Sequence, residues 1–378
     1  MERTLNLAAV HEAMTAKGLS QANVAKRLAV SREIVSQWLK AAKMPKPDKL
    51  LRLGLLLGLS FNRLVQASAA ANEPVVAYRR KARRETTVAH LAQARATGHL
   101  LERLVRYLPV AQRLQKPPAL KSPRLDYEYV QEVVAGVRRE LGVGPTESLT
   151  WQTLVRHFQR LDVTLIPVLW GQQEHHGNAL HIYLPESMTT WVFLNLDSNQ
   201  LDFKFWLAHE LGHSCTPDVK EADFWEDFAD QFAEALLFPE PAARVAYEGL
   251  SRLPTPGGRV NRLKEIAGEQ TISLVTVHCA VKRYAAAHGL PSLGLVERAL
   301  FGAATNLAKG YPTVACEQWG GHVPSPQQYL EFAKGRFGSR FFDLVTEYLH
   351  QEGQNPAFIQ SLLQVPLQDA KGLCGELA

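Results

Sequence analysis

The sequence predicts a multidomain, mainly α protein with one small β-sheet. Three observations lead there. Apolar residues recur at helical spacing along most of the 378 residues. Three runs rich in β-branched and aromatic residues fall close together, at Val163–Leu169, Ala179–Leu184 and Trp191–Leu196. Proline-rich and strongly charged stretches interrupt the chain before residue 125. The expected divisions are 1–70, a helical module; 71–125, a helical and Pro-rich linker; 126–290, an α+β core; and 291–378, a helical region of unknown role.

In the first module Ser20 precedes the amphipathic run Val24, Ala25, Leu28, and Ser31 precedes Ile34, Val35, Trp38, Leu39. Both serines sit where an N-cap belongs. Pro45 and Pro47 end that segment, and Leu50–Leu57 supplies another helix. The small, polar stretch Ala67–Pro74 and the basic run Arg79–Arg84 follow, then a helix over 86–108 and a linker with prolines at 109, 117, 118 and 123. Beyond Leu125, Val130, Val133, Val134 and Val137 share a face of a helix over 126–141. A second helix runs from Thr150 to Leu161, and the three strands come next. Helices are expected from near Asp202, from Phe224 to Phe238, and over 260–288.

Composition narrows the function. Hydrophobic residues make up 46% and charged residues 21% of the chain, as in globular proteins. The apolar stretch Leu50–Leu59 is broken by Arg52 and is too short to span a bilayer, and the N-terminus does not read as a secretory signal. The four cysteines are scattered with no CxxC, which excludes a disulfide framework or a Cys-rich zinc site. A cytoplasmic protein with no membrane partner is expected. Residues 1–84 carry 16 Lys/Arg against 5 Asp/Glu, a balance of +11, whereas the remainder carries 26 against 32. A polyanion partner is therefore expected at the N-terminal end alone.

The segment His209-Glu210-Leu211-Gly212-His213 is an HExxH motif. Residues four apart share a helix face, so both imidazoles can meet one Zn²⁺, with Glu210 placed to take a proton from water. A catalytic zinc takes a third protein ligand. On the acidic helix that follows, Glu226, Ala229, Asp230, Ala233 and Leu237 form one stripe whose alanines admit a close neighbour. Glu226 is the expected third ligand. Asp230 is the expected partner for the free ring N–H of a ligating histidine. Asp223, Asp227 and Glu234 are expected on a solvated face. His175, His176, His181 and Tyr247 are candidates for stabilising an oxyanion. The strand before the zinc helix is expected to pair with an extended substrate backbone.

HELGH together with Glu226-Asp227-Phe228-Ala229-Asp230-Gln231-Phe232-Ala233-Glu234-Ala235-Leu236-Leu237-Phe238-Pro239 resembles the ImmA/IrrE family of metallopeptidases over residues 126–290. Phe238 replaces a common Met and Asp230 a common Asn. The resemblance implies a zincin-like core, His209, His213 and Glu226 as zinc ligands, Glu210 as general base, and a protein substrate such as a transcriptional repressor. Leu19-Ser20-Gln21 through Trp38 and Pro45 resembles the phage-repressor (XRE) helix-turn-helix class. There Arg32, Glu33 and Gln37 would face bases and Gln21 would hold a phosphate. Leu39 and Ala41 depart from the Glu and Gly usual after the tryptophan. Two functions follow from the resemblances. One is a DNA-associated zinc endopeptidase acting on a repressor, separate or its own module, in a stress, phage or mobile-element response. The other is an XRE-type repressor or antitoxin-like regulator whose peptidase-like body senses or docks. A homodimer is compatible with either.

Overall fold

Ser20 and Ser31 each accept a hydrogen bond from the amide three residues on, at 3.2 and 3.3 Å, and so start two short helices. The computed structural model describes residues 3–40, 43–59, 64–67, 73–77, 88–109, 119–170, 179–217 and 222–378. It divides into two units, Met1–Glu73 and Pro74–Ala378.

In the first unit Asn6 caps α1 (Leu7–Ala16), Ser20 caps α2 (Gln21–Leu28), Ser31 caps α3 (Arg32–Leu39), and a proline opens α4 (Pro47–Leu57). Val10, Val24, Leu28, Val35, Trp38, Leu53 and Leu57 close around one core. The turn between α2 and α3 passes through Ala29 in the left-handed region, φ 52°. The sequence predicts a purely helical unit, and here the structure differs. β1 (Arg3–Leu5) pairs antiparallel with β2 (Val65–Ala67). Three residues are too few to display the two-residue alternation that announces a strand.

The second unit is built on a mixed sheet of order β3-β5-β6-β4. Its strands are β3 (Val75–Ala77), β4 (Thr164–Val168), β5 (Ala179–Leu184) and β6 (Thr189–Asn195). β4 runs parallel to β6 and the other neighbours are antiparallel. Every residue of β5 and β6 is buried, so helices cover both faces. On one face lies α5 (Val88–Val105), where a Cβ on Gly98 would come within 2.5 Å of Pro74 and 3.4 Å of Ile182. On the other lies the motif helix α8 (Gln200–Ser214), toward which His181 points, since neighbouring residues of a strand alternate faces. β6 is paired on both sides, so it cannot accept a substrate strand as expected. The outer strands are β3 and β4.

Two buried cations fix the helices around the motif. α6 (Tyr127–Leu141) carries Arg138, which donates to the carbonyls of Leu236 at 2.7 Å and Gly144 at 2.6 Å. This holds the end of α9 (Ala222–Leu237). Lys204 of α8 donates to Leu149 at 2.8 Å and Gln270 at 2.6 Å, just outside α7 (Trp151–Arg160) and at the end of α11 (Pro256–Gln270). Burial pushes the Lys204 amine down to about 8. α10 (Glu240–Ser251) and α12 (Leu274–Ala287) complete this part.

The expected linker and the expected boundary at residue 290 take a different form. β3 and α5 lie within 71–125 and belong to the second unit, although the basic run Arg79–Arg84 and the prolines at 117 and 118 fall outside the described residues. Beyond 290 come α13 (Glu297–Ala308), α14 (Val314–Trp319), α15 (Pro326–Phe337), α16 (Phe341–Glu352), α17 (Pro356–Leu363) and α18 (Leu367–Leu377). They share one hydrophobic core with the sheet. Tyr329 donates to the Pro167 carbonyl, Ser339 to Leu165 at 2.5 Å, and Trp170 to Leu363 at 2.7 Å. The C-terminal helices therefore cover β4 as part of the same unit. Among the described residues no helix is long and apolar enough to cross a membrane.

Candidate metal centre and nucleic-acid interface

Gly212 lets α8 and α9 approach: a Cβ there would stand 2.9 Å from the Cα of Ala229. Ala229 and Ala233 are fully buried on the facing stripe. That contact brings Glu226 to the histidines. The Nε2 atoms of His209 and His213 are 3.0 Å apart, and Glu226 lies 3.5 Å from the first and 3.6 Å from the second. All three donor atoms fall within 4.8 Å of one another. Ligands about 2.05 Å from one tetrahedral Zn²⁺ are separated by about 3.3 Å, and the observed distances bracket that value. Two imidazole nitrogens and a carboxylate are also a donor set that zinc accepts, so the residues fit the ion.

Asp230 Oδ1 lies 2.9 Å from His209 Nδ1, the far side of the ring from the cluster. Burial alone would lower the His209 imidazole, but bonding to Asp230 and then to Glu226 outweighs it and pushes the group up to about 9. The site is lopsided in exposure. His209, His213 and Glu210 are buried, whereas Glu226 and Asp230 keep 30% and 33% of their side-chain surface open. Solvent therefore reaches the cluster past the two acids of α9. Asp223 and Asp227 are exposed as expected, while Glu234 is ion-paired with Arg283 at 2.8 Å.

The oxyanion candidates separate cleanly. His175 and His176 lie outside the described residues. Tyr247 donates its hydroxyl to the Pro291 carbonyl at 2.8 Å and stacks obliquely on Tyr284. His181 is fully buried in β5, with Nδ1 3.4 Å from Glu210 Oε2. It is a partner of Glu210, a role that strand periodicity cannot reveal. Trp225 escaped the sequence reading altogether. Its ring lies 4.4 Å from that of His213 and 5.7 Å from that of His181, and its Nε1 donates to Thr216 at 3.0 Å. Its position directly before Glu226 was the available signal.

In the first unit Arg32 and Glu33 occupy the first turn of α3, and Gln37 follows one turn later. All three are exposed, and Gln21 opens α2 half-buried. The backbone amide of Glu33 and then the Ser31 hydroxyl hold the Glu33 carboxylate below its usual range. An anion there suits the amino donor of a cytosine edge, and Arg32 and Gln37 suit guanine and adenine.

Comparison with known proteins agrees with this unit alone. A family model described as a helix-turn-helix matches residues 10–64, whereas no model of the ImmA/IrrE peptidase family matches. No curated protein and no solved structure matches the chain. Residues 10–64 thus form a helix-turn-helix of the XRE type, a DNA-binding regulatory module.

Proposed function

We propose that this chain is a zinc-dependent endopeptidase carried on a DNA-binding module, and that it regulates transcription by cleaving a repressor, either a partner or its own N-terminal unit. One observation carries the reading. His209, His213 and Glu226 converge from two packed helices, with Glu210 one residue from the first ligand. His209, His213 and Glu226 would hold the ion, which supplies Lewis-acid polarisation of a scissile carbonyl and of water.

The chain's own residues do the rest. Glu210 takes the proton from the attacking water and passes it to the departing amine nitrogen. His181 steadies the carboxylate from behind, at the distance given above. Asp230 holds Nδ1 of His209, which fixes the ring so that Nε2 faces the cluster. Trp225 covers one side of the His213 ring and keeps water from it. Arg32, Glu33 and Gln37 read the operator, and the acidic body stays clear of phosphates.

Glu210→Gln tests the reading. The variant should keep stoichiometric zinc and lose cleavage of the chain's own module or of repressors encoded beside it. Glu226→Ala should lose the zinc. A zinc-loaded wild type that cleaves none of them while its operator binding controls transcription would overturn the enzyme. The helix-turn-helix match favours that second reading, a regulator whose metal-holding body senses or docks.

A further inference from the structure

A cavity of about 420 Å³ opens where β4 and β6 end and the helices after residue 313 begin. Small-molecule pockets occupy roughly 300–1,000 Å³, and open sheets take ligands outside the carboxyl ends of parallel strands. Leu169 and Asp197 come from just past the two parallel strands, Trp319 from the end of α14, Tyr329 from α15, and Asp369 and Leu373 from α18.

The formal charges of the lining are acidic. Asp197 and Asp369 contribute carboxylates and His322 an imidazole, and among the described residues no lysine or arginine lines the cavity. Asp369 stands in the first turn of α18, where the helix dipole favours an anion. The rest of the wall is largely apolar or aromatic, and at the mouth Val323 is 91% exposed. An anionic ligand would be repelled. A neutral ring would cover the exposed Asp369 carboxylate without compensating its lost water. A positive group beside an apolar body meets both parts of the lining, the carboxylates and the aromatic side chains of Trp319 and Tyr329.

The same walls are tied to the start of the motif helix. Asn199, the N-cap of α8, donates to the carbonyls of Ala308 at 2.9 Å and Tyr311 at 2.7 Å. The amide of Gln200 donates to Pro312, that of Val314 to Ser198, and that of Ala315 to Leu196. Residues 196–200 are thus strapped to 308–315, and Thr313 and Ala315 line the cavity.

We propose that this cavity binds a small organic cation with a ring-sized apolar body, and that occupancy is felt through the strap at the first turn of α8. The inference does not depend on a metal or on peptidase activity. It is tested on the full chain by calorimetric titration with tryptamine, tryptophol and indole-3-acetate, which share an indole and differ in charge. Tryptamine should bind saturably, about tenfold or more tighter than the other two. Asp369→Asn, an exposed change that should leave the melting temperature unaltered, should reduce that preference at least about fivefold. Hydrogen exchange should slow at 196–201 as well as at 313–329. Absence of saturable tryptamine binding at millimolar concentration, equal binding of the three indoles, or an unaffected Asp369→Asn would overturn the site. Slowing confined to 319–329 would overturn its link to α8.

Discussion

Gly212→Ala sets two known effects against each other inside the motif itself. In a helix interior, alanine is favoured over glycine by about 1 kcal/mol, so the exchange should stabilise α8 if nothing faced it. The new Cβ, however, would lie 2.9 Å from the Ala229 Cα, 3.2 Å from Phe232 Cδ1 and 3.3 Å from the Ala229 Cβ. Carbon atoms rest at about 3.5–4.0 Å, so α9 must retreat by roughly 0.6–1 Å. Its backbone cannot swing aside as a side chain would, and Arg138 pins its far end. Overpacking of this kind costs about 1–3 kcal/mol. Set against the gain of about 1 kcal/mol, the net expectation is a loss of up to about 2 kcal/mol, read as a fall of up to roughly 6 °C in the melting temperature of metal-free protein. Glu226 moves with α9, and a displacement above about 0.5 Å spoils a ligand set. Zinc affinity, measured by competition with a chromophoric chelator, should fall at least about tenfold. Gly249→Ala is the control, because a Cβ there meets nothing within 4 Å. If Gly212→Ala stabilises the metal-free protein as Gly249→Ala does and keeps its zinc affinity, the close approach of the two helices is wrong.

Three other expectations are independent of that contact. A chain ending at residue 290 loses the cover over Leu165, Ile166 and Val168, each at most 1% exposed. At about 1.5–3 kcal/mol per uncovered side chain, it should aggregate and bind a hydrophobic dye, and a soluble, cooperatively melting fragment would contradict the single core. Lys204, held near 8 by burial against about 10.4 when unfolded, leaves the folded state with fewer protons between those values. Stability contributed through this group therefore rises with pH across that window. Wild type should gain on Lys204→Met in denaturant melts from pH 8 to 10, by up to about 3 kcal/mol, and parallel pH profiles would refute it. In the first unit, Arg32→Ala should cost about 1–3 kcal/mol at one operator base pair. It should change the salt slope of binding little, and a uniform loss across sequences with a shallower slope would move Arg32 to the phosphates.

What could be read from the residues divides along physical lines. Caps and helix faces are local, so Ser20 and Ser31 start helices where their side chains predict, and the helices expected over 126–141 and from Thr150 form there. The alanine stripe of α9 was legible for the same reason, and with it the meeting of Glu226 and Asp230 with the histidines. β3 was not, because Val75–Ala77 is too short to show a period and gains its pairing from residues about 105 positions away. Nor was the partnership of His181 with Glu210, since alternation says which face a side chain takes and not what stands opposite. The helices after 290 were visible as helices. Their place on β4 rests on bonds such as Trp170 to Leu363, 193 residues apart, which no local pattern encodes.

The uneven exposure of the histidine cluster separates capture from retention. An ion that this set holds must arrive past Glu226 and Asp230, whose charges draw cations toward the opening and raise the rate of encounter. Escape requires it to leave two imidazoles that have no solvent of their own to replace it. Loading should therefore slow as ionic strength rises while dissociation scarcely changes. Residence time would then be set by the buried helix and traffic by the exposed one.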